Sequence, residues 1–313
     1  MPADNRISLQ KLEVFCKVVE LGGVRRAAED LFVSQPVVSA HLRSLQERVG
    51  ATLFRRDGRG IALTEAGSQV HLWATDVLRG RRELETTLGS LAGGTAGAAS
   101  ISTSMSVGTY VLPPILIDFR SRFPDAALAL HISGVETALE AAITGKADFC
   151  VVATDAVLDA NAFASELIAN PPFSLVAAAD DQRVGDTATA TEISDLPFVC
   201  PPGGMAIRRS QDAALASIGV VNRRVEIELG NAESMKQAIA ARLGVGLLWR
   251  SSVEPELADG TLREVRIAGA DLRDKLFLVG RRGKRYSPLQ TRLVESIRHA
   301  VAARFPAESD SRI

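Results

Sequence analysis

Between Ser34 and Arg43 the chain carries Ser34, Gln35, Pro36, Ser39, His41 and Arg43 on one stretch with helical periodicity. Short polar side chains near a helix start suit a groove: glutamine can bond adenine in bidentate fashion and serine adapts to several bases. Pro36 and Val37 add apolar surface suited to a thymine methyl. The positive end of such a helix also favours a backbone phosphate. Arg55, Arg56 and Arg59 follow within a turn-forming segment and can reach phosphates or an adjacent minor groove. Arg25 and Arg26 stand just upstream and offer further phosphate contacts. For any one of these residues a solvated helix face is the simpler reading. That reading weakens when helix, break, helix and basic wing occur together within about forty residues.

The surrounding pattern supplies elements to hold them. Apolar residues at Leu9, Leu12, Phe15, Cys16 and Val19 predict an amphipathic helix over 9–21, ended by Gly22-Gly23. A short helix is expected over 24–32, with Ala27, Ala28 and Leu31 inward, then a break at Val33-Ser34. A third helix runs from Gln35 to Val49, with Pro36 in its first turn, where a missing N–H costs nothing. Val38, Leu42, Leu45 and Val49 share its inner face. Residues 53–55 and 61–63 flank Asp57-Gly58-Arg59-Gly60 as a small hairpin. From Thr64 to Leu91 no proline intervenes, and Val70, Val77, Leu84 and Leu91 recur every seventh residue, which asks for a partner helix. Packing on its own domain is the alternative, and Gly80 and Arg81 favour it.

The run SQPVVSAHLRSLQERVGATLFRRDGRGIALTEAG, Ser34 to Gly67, closely resembles the LysR-type transcriptional regulators. AAEDLFVSQPVVS is similar to that family's helix pair, and LFRR followed by LTEAG to its wing and linker helix. The resemblance is specific over residues 8–92 and looser beyond. It implies that Gln35, Pro36 and Ser39 meet bases or backbone and that Arg55 or Arg56 is the wing contact. Ala40 stands where the family usually has arginine, and His41 where glutamine is common, so the bases read there are expected to differ.

The resemblance further implies a mainly α winged helix-turn-helix with a long linker helix, then a C-terminal α/β effector domain of two lobes, like periplasmic binding proteins. The expected boundaries are 1–64 for the DNA-binding domain, 65–92 for the linker helix, 93–98 for the hinge and 306–313 for a polar tail. Lobe I takes about 99–167 and 268–305, and lobe II about 168–267. Gly93-Gly94-Thr95-Ala96-Gly97 is the clearest linker in the chain. Beyond it, strands at 99–103, 128–132, 149–153, 174–178, 198–200, 224–228, 246–248 and 276–280 alternate with helices at 107–123, 135–144, 206–218, 232–242 and 288–305. That alternation predicts an α/β layout.

Three strand-to-helix junctions are candidate effector contacts. Ser104, Met105 and Ser106 open the first, where free N–H groups and hydroxyls suit a carboxylate or phosphate, or Ser106 simply caps the helix. Gly203, Gly204 and Met205 form the second, followed by Arg208 and Arg209. Met205 and Ala206 replace the polar loop common in the family and suggest a less polar wall. Asn231 and Glu233 begin the third, with capping again as the alternative.

Composition narrows the class. Hydrophobic content of 46% with 23% charged residues allows substantial cores. Residues 1–64 hold ten Lys/Arg against seven Asp/Glu, so the net −1 of the chain divides into +3 there and −4 beyond. Met1 to Arg6 is polar and no run reaches the roughly 18 apolar residues of a membrane span, so neither leader nor membrane partner is expected. Cys16, Cys150 and Cys200 fit buried thiols in a reducing cytoplasm. The four histidines lack metal spacing, and neither Gly-x-Ser-x-Gly nor a phosphate-loop motif occurs, so no metal, cofactor or enzymatic activity is expected. A solute-binding component and a two-lobed enzyme are the rival classes; the polar start and the fused DNA reader argue against the first, and turnover without DNA binding would favour the second. The expected partners are double-stranded promoter DNA with dyad symmetry, a small-molecule effector, a second copy forming a dimer and then a tetramer, and RNA polymerase.

Overall fold

The computed structural model describes residues 7–57, 60–89 and 97–306. The chain divides into two compact units, one ending at Gly97 and the other opening at Ala98.

The first unit contains α1 (Leu9–Glu20), α2 (Val24–Asp30), α3 (Gln35–Val49), β1 (Phe54–Asp57), β2 (Gly60–Leu63) and α4 (Glu65–Gly89). Its core joins Leu12, Phe15 and Val18 of α1, Ala27 and Ala28 of α2, Val38, Leu42 and Leu45 of α3, and Ala74 and Leu78 of α4. β1 and β2 pair antiparallel, Phe54 opposite Leu63 and Arg56 opposite Ile61. The hairpin is tied down by Gln46, whose Oε1 accepts from the Leu53 N–H at 2.8 Å. Thr64 donates to the Thr52 carbonyl and accepts from the Gly67 N–H, starting α4 against the wing.

The helix expected over 24–32 stops sooner. Leu31 is its C-cap, and Phe32 lies at φ +54 in the left-handed region. Along α4, Ala74 and Leu78 are buried while Trp73 and Leu84 are exposed, so the seven-residue stripe covers only part of the helix's apolar surface. Leu91, residues 93–96 of the expected hinge and the tail beyond Pro306 lie outside the described residues.

The second unit is two-lobed. Lobe I holds a five-stranded sheet of order β4–β3–β5–β13–β6. Its strands are β3 (Gly97–Ser104), β4 (Ala126–Ser133), β5 (Phe149–Ala153), β6 (Phe163–Ala169) and β13 (Leu276–Arg281). Around it lie α5 (Met105–Tyr110), α6 (Leu112–Arg122), α7 (Val135–Ile143) and α12 (Pro288–Arg304). Lobe II has a sheet of order β11–β7–β12–β8 and a parallel pair β10–β9. Its strands are β7 (Phe173–Ala178), β8 (Thr187–Ala188), β9 (Pro197–Cys200), β10 (Arg224–Glu228), β11 (Gly246–Trp249) and β12 (Leu262–Ile267). Its helices are α8 (Ala190–Asp195), α9 (Ala206–Ala216), α10 (Ala232–Ala240) and α11 (Arg250–Ala258).

Two segments cross between the lobes, one after β6 and one before β13, and they bond to each other. The Phe173 N–H donates to the Leu272 carbonyl and the Asp274 N–H to the Pro171 carbonyl, at 2.7 and 2.9 Å.

The single helix expected over 107–123 is broken at Val111 into α5 and α6. Pro113 and Pro114 have no N–H to continue the ladder. The Tyr110 carbonyl that Pro114 would otherwise bond instead accepts from Arg304 at 2.6 Å. Three strands were not legible: β6, β12 and β8, the last only two residues long. β6 is an edge strand with a mostly exposed middle. β12 is central but carries Arg263, Glu264 and Arg266, which mask its strand pattern.

Candidate DNA-reading face and effector cleft

α3 is divided lengthwise. Val38, Leu42 and Leu45 are buried, while Gln35, Pro36, Val37, Ser39, Ala40 and Arg43 are exposed and His41 is half-buried. Ser34 is the N-cap in extended conformation, and its hydroxyl makes no capping bond. The first turn of α3 therefore presents N–H groups without a side-chain cap, beside an exposed hydroxyl and an exposed amide. Arg55 and Arg56 are exposed on β1, and Arg59 lies outside the described residues. Arg25 and Arg26 already have partners. Arg25 pairs with Glu29 at 2.9 Å on an exposed turn, and Arg26 donates to the Leu21 carbonyl at 3.2 Å. A phosphate contact by either one exchanges a weak surface bond for a stronger charge-assisted one.

The expected effector residues sort into different roles. Ser104, and not Ser106, is the N-cap of α5; its hydroxyl accepts from the Ala153 N–H at 3.4 Å, and Met105 is exposed beside it. Asn231 caps α10 by accepting from the Ser234 N–H. Gly203 and Gly204 are exposed on the loop before α9, and Met205 is its N-cap. Arg208 is only 13% exposed and is held inside lobe II by the Pro201 carbonyl, Cys200 Sγ, Asp212 and Glu228.

Its neighbour Arg209 instead crosses to lobe I, meeting Glu136 at 3.2 Å and Asp155 at 3.8 Å while bonding the Gly204 carbonyl. Sequence reasoning passed over this crossing. Arg209 was visible only as one of two adjacent arginines, and its partner Glu136 lies 73 positions away.

A second crossing joins Tyr110 of α5 to Glu233 of α10. The Tyr110 hydroxyl donates to Glu233 Oε1, and Lys236 lies over the Tyr110 ring, bonding Glu233 at 2.9 Å and Glu256 at 2.7 Å. Burial, reinforced by Glu233, raises the Tyr110 phenol above its ordinary range, and the bonds from Tyr110 and Lys236 hold the Glu233 carboxyl low. Burial opposes the Lys236 ammonium, but Glu256 and Glu233 outweigh it and the group is raised.

At the crossover, Asp274 is buried and accepts from Trp249 Nε1 at 3.0 Å and the Lys275 N–H at 2.8 Å. Burial pushes its carboxyl up despite those bonds. Cys150 is buried and pushed up to about 12 by desolvation, which leaves its thiol inert. Among the described residues no group of three or more His, Cys, Asp or Glu could hold a metal ion, and no helix is long and apolar enough to cross a membrane.

A helix-turn-helix with a hairpin wing, a long following helix and a two-lobed α/β sensor defines the class of ligand-responsive, DNA-binding transcription regulators. The chain belongs to the LysR family of these regulators. Residues 9–68 match the bacterial regulatory helix-turn-helix protein of the lysR family, and residues 92–302 match the LysR substrate binding domain. It is 29% identical over 286 residues to the RuBisCO operon transcriptional regulator of Allochromatium vinosum, covering 90% of this chain and 92% of that protein. It is 27% identical to the HTH-type transcriptional regulator YeiE of Escherichia coli K12, covering 92% of this chain and 96% of that one.

Among solved structures its fold is similar to ArgP from Mycobacterium tuberculosis, at 20% identity and a TM-score of 0.75 over 97% of this chain and all of that one. It also resembles full-length CbnR complexed with its target DNA, at 20% identity and a TM-score of 0.56 over 94% and 100%. Proteins of this family are transcription regulators and not enzymes. The chain is accordingly a sequence-specific DNA-binding regulator that responds to a small-molecule effector.

Proposed function

We propose that the exposed edge of α3 reads the operator and that the cleft between the lobes holds the effector. Ser34, Gln35, Pro36 and Ser39 meet base edges or the adjoining backbone, with His41 and Arg43 further along. Arg25, Arg26, Arg55, Arg56 and Arg59 meet phosphates or the minor groove. The observation that carries this is the lengthwise division of α3, whose buried valine and leucines leave the polar row facing outward. Ala40 shortens the reach at its position, so the bases selected differ from those chosen by relatives with arginine there.

Ser104, Met105, Gly203, Gly204, Met205 and Glu233 border the cleft, and Arg209 is the cation available to an anionic group once it leaves Glu136. Arg208, held by the Pro201 carbonyl, Cys200, Asp212 and Glu228, supports the loop that borders the cleft. The protein acts in the cytoplasm as a dimer joined through residues 64–92, assembling further to a tetramer. Exposed Trp73 and Leu84 support the helix pairing. RNA polymerase is the downstream partner.

Selection of duplexes from a randomised library by the full-length protein tests the DNA reading. The expected product is a dyad bound with a steep negative slope of log affinity against log salt, and Gln35→Ala weakens binding and relaxes one position. Recovery of unrelated sequences with no shared dyad overturns it.

A further inference from the structure

Among the described residues of the DNA-binding unit Phe32 is the most exposed large hydrophobic side chain, at 96%, and its backbone sits at φ +54. The Val33 N–H donates to the Ala28 carbonyl and the Phe32 N–H to the Glu29 carbonyl, at 3.0 and 3.3 Å, the paired bonds of a Schellman turn ending α2. Phe32 occupies the left-handed position of that turn, where glycine is least strained. An aromatic ring here is unfavourable twice over: the backbone is strained and the ring is left in water. Among the described residues nothing offsets either cost, because the ring stays 96% exposed. Such an outlier points to a role outside the folded monomer.

Its neighbours indicate the occupant. Val33 and Val37 are 41% and 42% exposed, and Pro36 is exposed between them. This apolar strip interleaves with Ser34, Gln35 and Ser39 at the positive end of α3, on the unit that also exposes Arg25, Arg26 and Arg43. A docking surface for another protein has no reason to share its residues with a base-reading row.

We propose that Phe32 is a non-ionic contact with DNA, its ring laid against a deoxyribose or a thymine methyl beside the bases read by Gln35. Val33 and Val37 widen the same contact. The proposal rests on α3 being the reading helix.

Phe32→Gly separates the two costs, because glycine relieves the strain and removes the ring. In the full-length protein the variant is expected to melt no lower than wild type. It should bind the library-selected duplex about tenfold more weakly, as partial loss of aromatic burial requires. The slope of log affinity against log salt stays unchanged, because no counterion is involved. Replacing thymine by uracil in that duplex then identifies the partner: the loss disappears for a methyl contact and persists for a sugar contact, and both results support the proposal.

Unchanged affinity in Phe32→Gly, with binding lost in Gln35→Ala, overturns the proposal and leaves the reading helix in place. Unchanged affinity in both variants overturns the reading of α3 itself. A loss accompanied by a slope shallower by about one overturns the proposal in favour of a displaced phosphate contact. Unchanged affinity with lost transcriptional output in vitro overturns it in favour of a protein partner.

Discussion

Asp274 shows how a single side chain at the crossover can set the pH response of the sensor. Burial raises its carboxyl above the roughly 3.9 of an unfolded aspartate, so the folded state disfavours the ionised form. The stability of the neutral form is fully present below the unfolded value and is lost as pH rises through the folded one. Asn keeps the shape without the charge. The melting temperature of Asp274→Asn minus that of wild type should therefore climb as pH rises from about 4 to about 8. Melts in a graded buffer series check this, and a pH-independent difference would contradict it. At this scale the DNA-facing residues were legible because they are contiguous: Ser34, Gln35, Pro36 and Ser39 fall within two helical turns. Asp274 and Arg209 were not, since their roles come from partners 25 and 73 positions away. Phe32 was hidden for another reason. Its apolar character extended the pattern of α2 by two residues, and only the backbone shows that it leaves the helix.

Elements were legible where side-chain period and backbone punctuation agreed. Gln35–Val49, Phe149–Ala153 and Arg224–Glu228 stand at the bounds their patterns implied. The helix after β3 failed because apolar period ran on through Pro113-Pro114, and backbone chemistry decided against it. β12 failed because its charges are absorbed locally: Glu264 is held by Arg250, and Arg263 is spent on the carbonyls of Asp181, Val184 and Gly185. The wing depends on a contact of another kind. A Cβ on Gly67 would sit 2.0 Å from the Leu53 carbonyl oxygen, which itself accepts from the Thr64 N–H. Gly67→Ala must therefore push β1 away from α4, although alanine is the better helix former. Overpacking of this sort costs about 1–3 kcal/mol. The expected result is a lower melting transition for the DNA-binding unit and weaker DNA binding, with effector-domain melting unchanged. A variant as stable as wild type would show that the wing is not fixed through this approach.

The whole molecule separates its charge as it separates its tasks, with +3 on the first 64 residues and −4 on the remainder. Attraction to DNA thus belongs to the smaller unit, and in the proposed function the larger one contributes through a balance between arrangements of its lobes. Among the described residues, Arg209 to Glu136 and Tyr110 to Glu233 are two of the side-chain ties between the lobes that would set that balance. Arg209 with Glu136 is exposed and is worth a few tenths of a kcal/mol to about 1. The Tyr110 bond to Glu233 is largely exposed on its Glu233 side, but it is braced by Lys236 and backed by Arg304 on the Tyr110 carbonyl, so it is the stronger tie. A bond to a charged acceptor contributes about 1.5–3 kcal/mol when shielded, and partial exposure reduces that toward the lower end. Its loss should shift a two-state balance of a few kcal/mol by roughly tenfold. Tyr110→Phe removes the hydroxyl and keeps the ring under Lys236, so the fold is preserved while the lobes are freed. Amide exchange is then expected to quicken in α5 and α10 but not in the buried strand β5. Without any effector, the DNA footprint should change in length as the freed population grows. Unchanged exchange in both helices would mean that the tyrosine has no part in the switch and that the lobes are held by their crossover strands and by other ties such as Arg209 to Glu136.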